Sequence, residues 1–259
     1  VIPLSVLLHR DQDVLAEAAA ARLVTRLVDA QAARGSASVV LTGGGVGTAV
    51  LAALAASGAR DAVDWGRVDV WWGDERFLPT GDPDRNETGA RAALLDHVPV
   101  DPARVHPMPA ADGPDGDDPE AAAERYAVEL RAAARPEDGE PVPPFDVLML
   151  GVGPDAHVAS LFPETPAVRD ERPVVAVRDA PKPPPTRISL TFPSLRAAEE
   201  VWLLAAGDSK AEAVRLGLTE PSPARAPVAG ARGRLGTLFL LDRAAAARLP
   251  HGAQGLAAP

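Results

Sequence analysis

Short apolar runs alternate with helix-period segments along the whole chain, and this alternation is the feature that most restricts its fold. SVLLH (5–9) reads as a strand. The next segment places Val14, Ala18, Ala21, Val24 and Val28 at spacings of four and three, which is one helical face, with Asp11 or Asp13 as cap and Gly35 as stop. A strand at 37–42 (ASVVLT) runs through a Gly-rich turn into a helix near 46–57. A strand at 67–73 (RVDVWWG) is followed by a polar loop and a helix near 86–96, and a further helix is expected near 119–134. FDVLML (145–150) is nearly all apolar, as a strand covered on both faces should be. Strands at 173–178, 187–192 and 201–206, a helix from Ser209 and a last strand at 237–242 (TLFLLD) complete the pattern. Repeated strand–helix units predict an α/β fold: a mostly parallel, open, Rossmann-like sheet with helices on both faces. RPEDGEPVPP (135–144) has the composition of a linker, but the alternation resumes after it, so 1–259 is expected to be a single large domain.

Composition narrows the function. Without cysteine, disulfides, thiolate nucleophiles and Cys-based metal sites are excluded. No apolar stretch is long enough for a membrane span, and VIPLSVLLHR has neither the basic segment nor the cleavage pattern of a signal peptide. A cytoplasmic protein is expected. The formal charge of -10 argues against nucleic acid as a partner but leaves room for a local basic pocket and an anionic substrate. The five histidines (His9, His97, His106, His157, His251) show no metal-ligand spacing, so no metal or other cofactor is expected. The acidic run at 111–120 lacks the spacing of a calcium loop and reads as a solvated helix cap.

Five segments carry candidate chemistry. In LTGGGVGTAV (41–50), glycines turn the chain from a strand into a helix, where backbone N–H groups and the helix dipole can hold a phosphate. No Lys-Ser/Thr follows, so a nucleoside triphosphate is not expected. A ligand-free tight turn is the competing reading. Asp74, Glu75 and Arg76 stand where the 67–73 strand ends, outside whose carboxyl end ligands bind in open parallel sheets. In FDVLMLGVGPDAHVASLFPET (145–165), a buried strand runs through Gly151 and Gly153 to Asp155 and His157, and then to a helical-looking ASLF. A neutral imidazole suits general-base work near neutrality, and an adjacent carboxylate can orient it. In PKPPPTRISLTF (181–192), prolines hold the segment after Lys182 extended, and Arg187 opens a strand. In AAGDSKAEAVRLG (205–217), Lys210 sits in the first turn of a helix, unfavourably for the dipole unless an anion meets it there. The chain has two lysines, Lys182 and Lys210, and both fall in these segments.

Taken together, the segments resemble the 6-phosphogluconolactonase family, within the wider glucosamine-6-phosphate isomerase/deaminase superfamily, over essentially the whole chain. GVGPDAHVASLFP is similar to the family's G-x-G-x-D-G-H-x-A-S-L-F-P, DERFLP to D-E-R-x-V-P, and DRNETGAR to S-N-Y-x-x-x-R. PKPPPTRISLT resembles P-K-P-P-x-R-I-T-L, and GDSKAEAV the final G-x-x-K. The resemblance implies His157 as catalytic base beside Asp155, and Gly43, Gly44 and Gly45 around the sugar phosphate. Arg187 and Lys210 would be its charge partners, with Arg76 and Lys182 lining the pocket. It implies hydrolysis of a small-molecule sugar-phosphate lactone by a monomer or weak homodimer. The chain departs from the pattern in three places. Ala156 replaces a Gly and would be strained by a positive φ. Gly45-Val46-Gly47 replaces Ser-Thr-Pro, and Arg85 replaces a Ser. A Ser160 nucleophile is the rival mechanism, though ASLF lacks the G-x-S-x-G elbow. Two other functions compete: amino-sugar-phosphate deamination, whose branch typically has D-E-Y and a Glu five residues after the His, and non-catalytic sugar-phosphate sensing.

Overall fold

The computed structural model describes residues 2–134 and 142–249; most of the linker-like stretch (135–141) and His251 fall outside them. In chain order the strands are β1 (Leu4–His9), β2 (Ala37–Leu41), β3 (Val68–Trp72), β4 (Asp74–Arg76), β5 (Val147–Gly151), β6 (Val174–Val177), β7 (Arg187–Leu190), β8 (Glu200–Ala205) and β9 (Gly236–Asp242). The α-helices are α1 (Gln12–Arg34), α2 (Gly44–Ala56), α3 (Asn86–Ala93), α4 (Pro119–Ala133), α5 (Phe192–Leu195), α6 (Ala211–Thr219) and α7 (Pro227–Gly230). Six strands form a wholly parallel sheet in the order β1-β9-β8-β5-β2-β3. Its central strands are buried on both faces, with Val147 to Leu150 and Val201 to Ala205 all inaccessible, which explains their near-continuous apolar sequence.

The caps of α1 fall as expected: Asp11 accepts from the N–H of Val14 at 2.9 Å, and Gly35 ends the helix at φ 80. The buried face does so only in part. Val24 is buried, but Leu15, Ala19, Leu23 and Leu27 form the rest of the inward face, while Ala21 is exposed and Val14, Ala18 and Val28 lie at the edge. An alanine-rich helix offers neighbouring apolar stripes, and the stripe with the larger side chains removes more apolar surface from water.

Residues 74–76 are not the polar loop that their charges predict. They form β4 in a second, antiparallel sheet of order β4-β7-β6. The strands expected at 173–178 and 187–192 therefore belong to this sheet and not to the parallel one. Buried polar partners make a charged strand tolerable here: Asp74 and Glu75 are 7% and 0% exposed, and both accept hydrogen bonds. The register sets Arg76 opposite Arg187, and Leu190 N–H donates to Gly73 at 2.9 Å, so the small sheet closes over the carboxyl end of β3. ASLF is no helix either. Val158 and Leu161 bridge around Ala159, whose φ is 49.

Candidate active site

A cavity of about 330 Å³ opens at the carboxyl ends of the parallel strands, where open α/β sheets hold their ligands. Its walls come from the turns that follow β2, β5 and β8, together with β4, the start of α3 and the start of β7 with the Lys182 segment before it. β2 and β5 are neighbours, so their two glycine turns lie side by side, joined by a bond from Gly151 N–H to Thr42 Oγ1 at 3.2 Å.

The first turn places Gly43, Gly44 and Gly45 on the cavity wall. α2 starts two residues earlier than expected, at Gly44, whose φ of 81 suits glycine. Gly43, its N-cap, supplies no side-chain acceptor, so the first N–H groups of α2 have no cap and their residues face the cavity. Gly47 approaches Thr42 so closely that a Cβ would lie 2.7 Å from its carbonyl oxygen. The departure from Ser-Thr-Pro thus keeps the helix start and loses the hydroxyls.

The second turn carries the Asp155–His157 pair. His157 lines the cavity, and its Nδ1 is bonded to Asp155 Oδ1 at 2.5 Å. With Nδ1 engaged, Nε2 is the nitrogen left for chemistry. Phe162 packs on the ring at 4.5 Å between centroids. It occupies the position five residues on, where the deaminase branch has Glu. Asp155 does not line the cavity itself but backs the imidazole. Burial pushes the Asp155 carboxyl up; the hydrogen bond from His157 and the charges of His157 and Lys182 outweigh it and hold the group well below the usual carboxylate range. Ala156, fully buried, has φ 68, the positive value that its replacement of Gly made a concern.

Four cations line the cavity: Arg76, Lys182, Arg187 and Lys210. Lys182 Nζ lies 3.3 Å from Asp155 Oδ1. Lys210 is the N-cap of α6 and has no ion-pair partner among the described residues; burial first, and then the charge of Lys182, push its amine down. Arg187 is 5% exposed, and burial lowers its pKa too. Its Nε and Nη2 donate to the carbonyls of Pro184, Lys182 and Pro183 at 2.9 to 3.3 Å. The segment after Lys182 therefore bends around this guanidinium and is not extended as its prolines predict. Arg76 donates to the Asp84 carbonyl at 2.5 Å, while its buried Nε has no partner among the described residues.

Sequence reasoning did not single out Asn86, Thr42 or Gln12, which also line the cavity. Asn86 was visible inside the DRNETGAR match; Gln12 carried no signal. Among the described residues Asp74 is the one carboxylate on the wall, and its Oδ2 accepts from Ser160 Oγ at 2.7 Å. Ser160 is fully buried in that bond, which removes it as a nucleophile. Arg85 stays outside the cavity, buried and donating to the carbonyls of Leu78 and Met108.

A family model described as glucosamine-6-phosphate isomerases/6-phosphogluconolactonase matches residues 10–240. A 6-phosphogluconolactonase of Streptomyces coelicolor is 66% identical over 94% of this chain and 94% of the relative. One of Mycobacterium tuberculosis is 50% identical over 95% of this chain and 98% of the relative. Among solved structures, the Trypanosoma brucei 6-phosphogluconolactonase superposes with a TM-score of 0.81 at 26% identity, covering 96% of this chain and all of the other. A monomeric glucosamine-6-phosphate deaminase, at 19% identity and TM-score 0.77, shares the fold. With the match spanning the glycine turns, the Asp–His pair and all four cavity cations, the chain belongs to the 6-phosphogluconolactonase family.

Proposed function

We propose that this chain hydrolyses 6-phospho-D-glucono-1,5-lactone to 6-phosphogluconate, without a metal. The observation that carries the reading is a carboxylate-held imidazole on the wall of a cavity ringed by four cations, in a protein whose net charge is -10. Nε2 of His157 takes a proton from water as its oxygen adds to the lactone carbonyl. Asp155 stabilises the imidazolium that forms. Lys182, the cation that shares Asp155 with the base, is the group we assign to support the tetrahedral oxyanion. Collapse breaks the bond from the carbonyl carbon to the ring oxygen, which receives the proton from Nε2, and the product carboxylic acid ionises.

The substrate phosphate occupies the uncapped start of α2, with Lys210 and Arg187 supplying charge. Arg187 also ties down the Lys182 segment, so the two cations should behave differently when removed. Lys210→Ala should lower kcat/KM on the phosphorylated lactone by roughly ten- to a hundredfold, the size of one charge-assisted contact, and leave the unphosphorylated lactone almost untouched. Arg187→Ala should weaken both, because it also loosens the wall beside the base. Equal losses on both substrates for Lys210→Ala would mean that Lys210 is not at the phosphate. The cytoplasm is the proposed setting, with the chain acting as a monomer or weak homodimer.

A further inference from the structure

α3 starts without a cap of its own, because Arg85, at its N-cap position, carries no side-chain acceptor for the helix's first N–H groups; its Nη2 donates instead to the Glu87 carboxylate at 3.1 Å. The acceptor comes instead from another element. Glu75 on β4, fully buried, accepts on Oε1 from the N–H groups of Asn86 at 2.6 Å and Arg76 at 2.8 Å, and on Oε2 from Glu87 at 2.9 Å. Exposed N–H groups at a helix start need acceptors, and negative charge is favoured there. Burial pushes the Glu75 carboxyl up to about 7; Arg85 Nη2, 3.8 Å from Oε2, and the three N–H groups favour its charged form and offset part of that cost. The first residue of the helix so held is Asn86. Its Nδ2 donates to the Asp74 carbonyl at 2.8 Å, and its Oδ1 fills the space beside Gly43, where a Cβ would come within 1.8 Å of it.

We propose that Glu75 is a positioning residue for the phosphate cradle. Its carboxylate clamps the start of α3, which seats Asn86 against Gly43 and thereby fixes where the first N–H groups of α2 point. This rests on the proposed reading of that turn as the phosphate site. A purely structural Glu75 would instead change the amount of active enzyme, equally for any lactone.

The test is steady-state kinetics of Glu75→Gln, Asn86→Ala and the double variant on 6-phosphogluconolactone and on unphosphorylated D-glucono-1,5-lactone. An amide accepts fewer N–H groups than a carboxylate. Each single variant should raise KM for the phosphorylated lactone about tenfold, with kcat within about twofold and kcat/KM on the unphosphorylated lactone unchanged. The double variant should match the worse single one, since both act through one contact. A fall in kcat on both lactones at constant KM, or losses that multiply in the double variant, would overturn the assignment. Asn86→Ala keeps the carboxylate and its three bonds, so if Glu75→Gln does not fold, a wild-type KM in Asn86→Ala overturns the proposal. A wild-type enzyme that shows no preference for the phosphorylated lactone would remove the cradle reading, and this inference with it.

Discussion

Gly153 defines how little freedom His157, the proposed base, has. A Cβ there would lie 2.0 Å from His157 Nδ1 and 2.6 Å from Asp155 Oδ1, so the pair holds its geometry only because this residue has no side chain. Gly153→Ala must push the imidazole away from its carboxylate. The expected result is a kcat lower by roughly a hundredfold, the scale of a mispositioned catalytic group, with a melting temperature only a few degrees below wild type. Wild-type kcat in that variant would show that the Asp155–His157 contact is dispensable. Three residues on, the chain tolerates what its sequence made doubtful. Ala156 sits at φ 68, which costs an L-residue roughly 1–2 kcal/mol, and full burial of its methyl group offsets part of that cost. Its carbonyl also accepts from Val228 N–H at 3.0 Å, tying the turn to α7.

At the scale of elements, α4 is fastened to the sheet by a titratable contact. His106 stacks on Trp71 of β3 at 3.8 Å between ring centroids, with Nδ1 2.6 Å from Glu129 of α4 and Nε2 3.4 Å from Asp69 of β3. Burial pushes the imidazole down, but the hydrogen bonds and charges of Asp69 and Glu129 raise it to about 9. The folded value lies above the unfolded one, so this stabilisation is complete below pH about 6.5 and disappears as pH rises through about 9. Because Glu129 is 42% exposed, solvent screening reduces the contribution to about 2 kcal/mol. Denaturation midpoints measured from pH 6 to 10 should fall over that window in wild type and stay flatter in His106→Gln; parallel curves would contradict the assignment. β4 shows a different kind of element. Its charged sequence gives no strand signal, and it exists because β7 pairs with it and Ser160, Asn86 and Arg85 meet its carboxylates.

Across the whole molecule, the parallel sheet was legible because strands buried on both faces must be apolar throughout, as FDVLML is. The small antiparallel sheet was not, because its pairing is non-local and its edge strand is charged. The same division holds at the site. The Asp155–His157 pair and the lysines were visible as local motifs at strand and helix ends. Gln12 reaches the cavity only through tertiary packing, Thr42 and Asn86 sit inside segments already matched, and ASLF looked helical because a positive φ at Ala159 leaves no trace in its residue types. The bend around Arg187 was hidden likewise: prolines report local stiffness, whereas the guanidinium that gathers their carbonyls comes from beyond them. What unites these parts is one claim, that the cavity hydrolyses a phosphorylated lactone with His157 as base. The most direct measurement is the rate of loss of freshly made 6-phosphogluconolactone, with spontaneous hydrolysis subtracted, for wild type and for folded His157→Ala, each with and without EDTA. The expected result is rapid, EDTA-insensitive turnover in wild type and a loss of roughly a hundredfold or more in the variant, as removal of a general base entails. Near wild-type turnover in His157→Ala, or EDTA-sensitive activity restored by added metal, would contradict it.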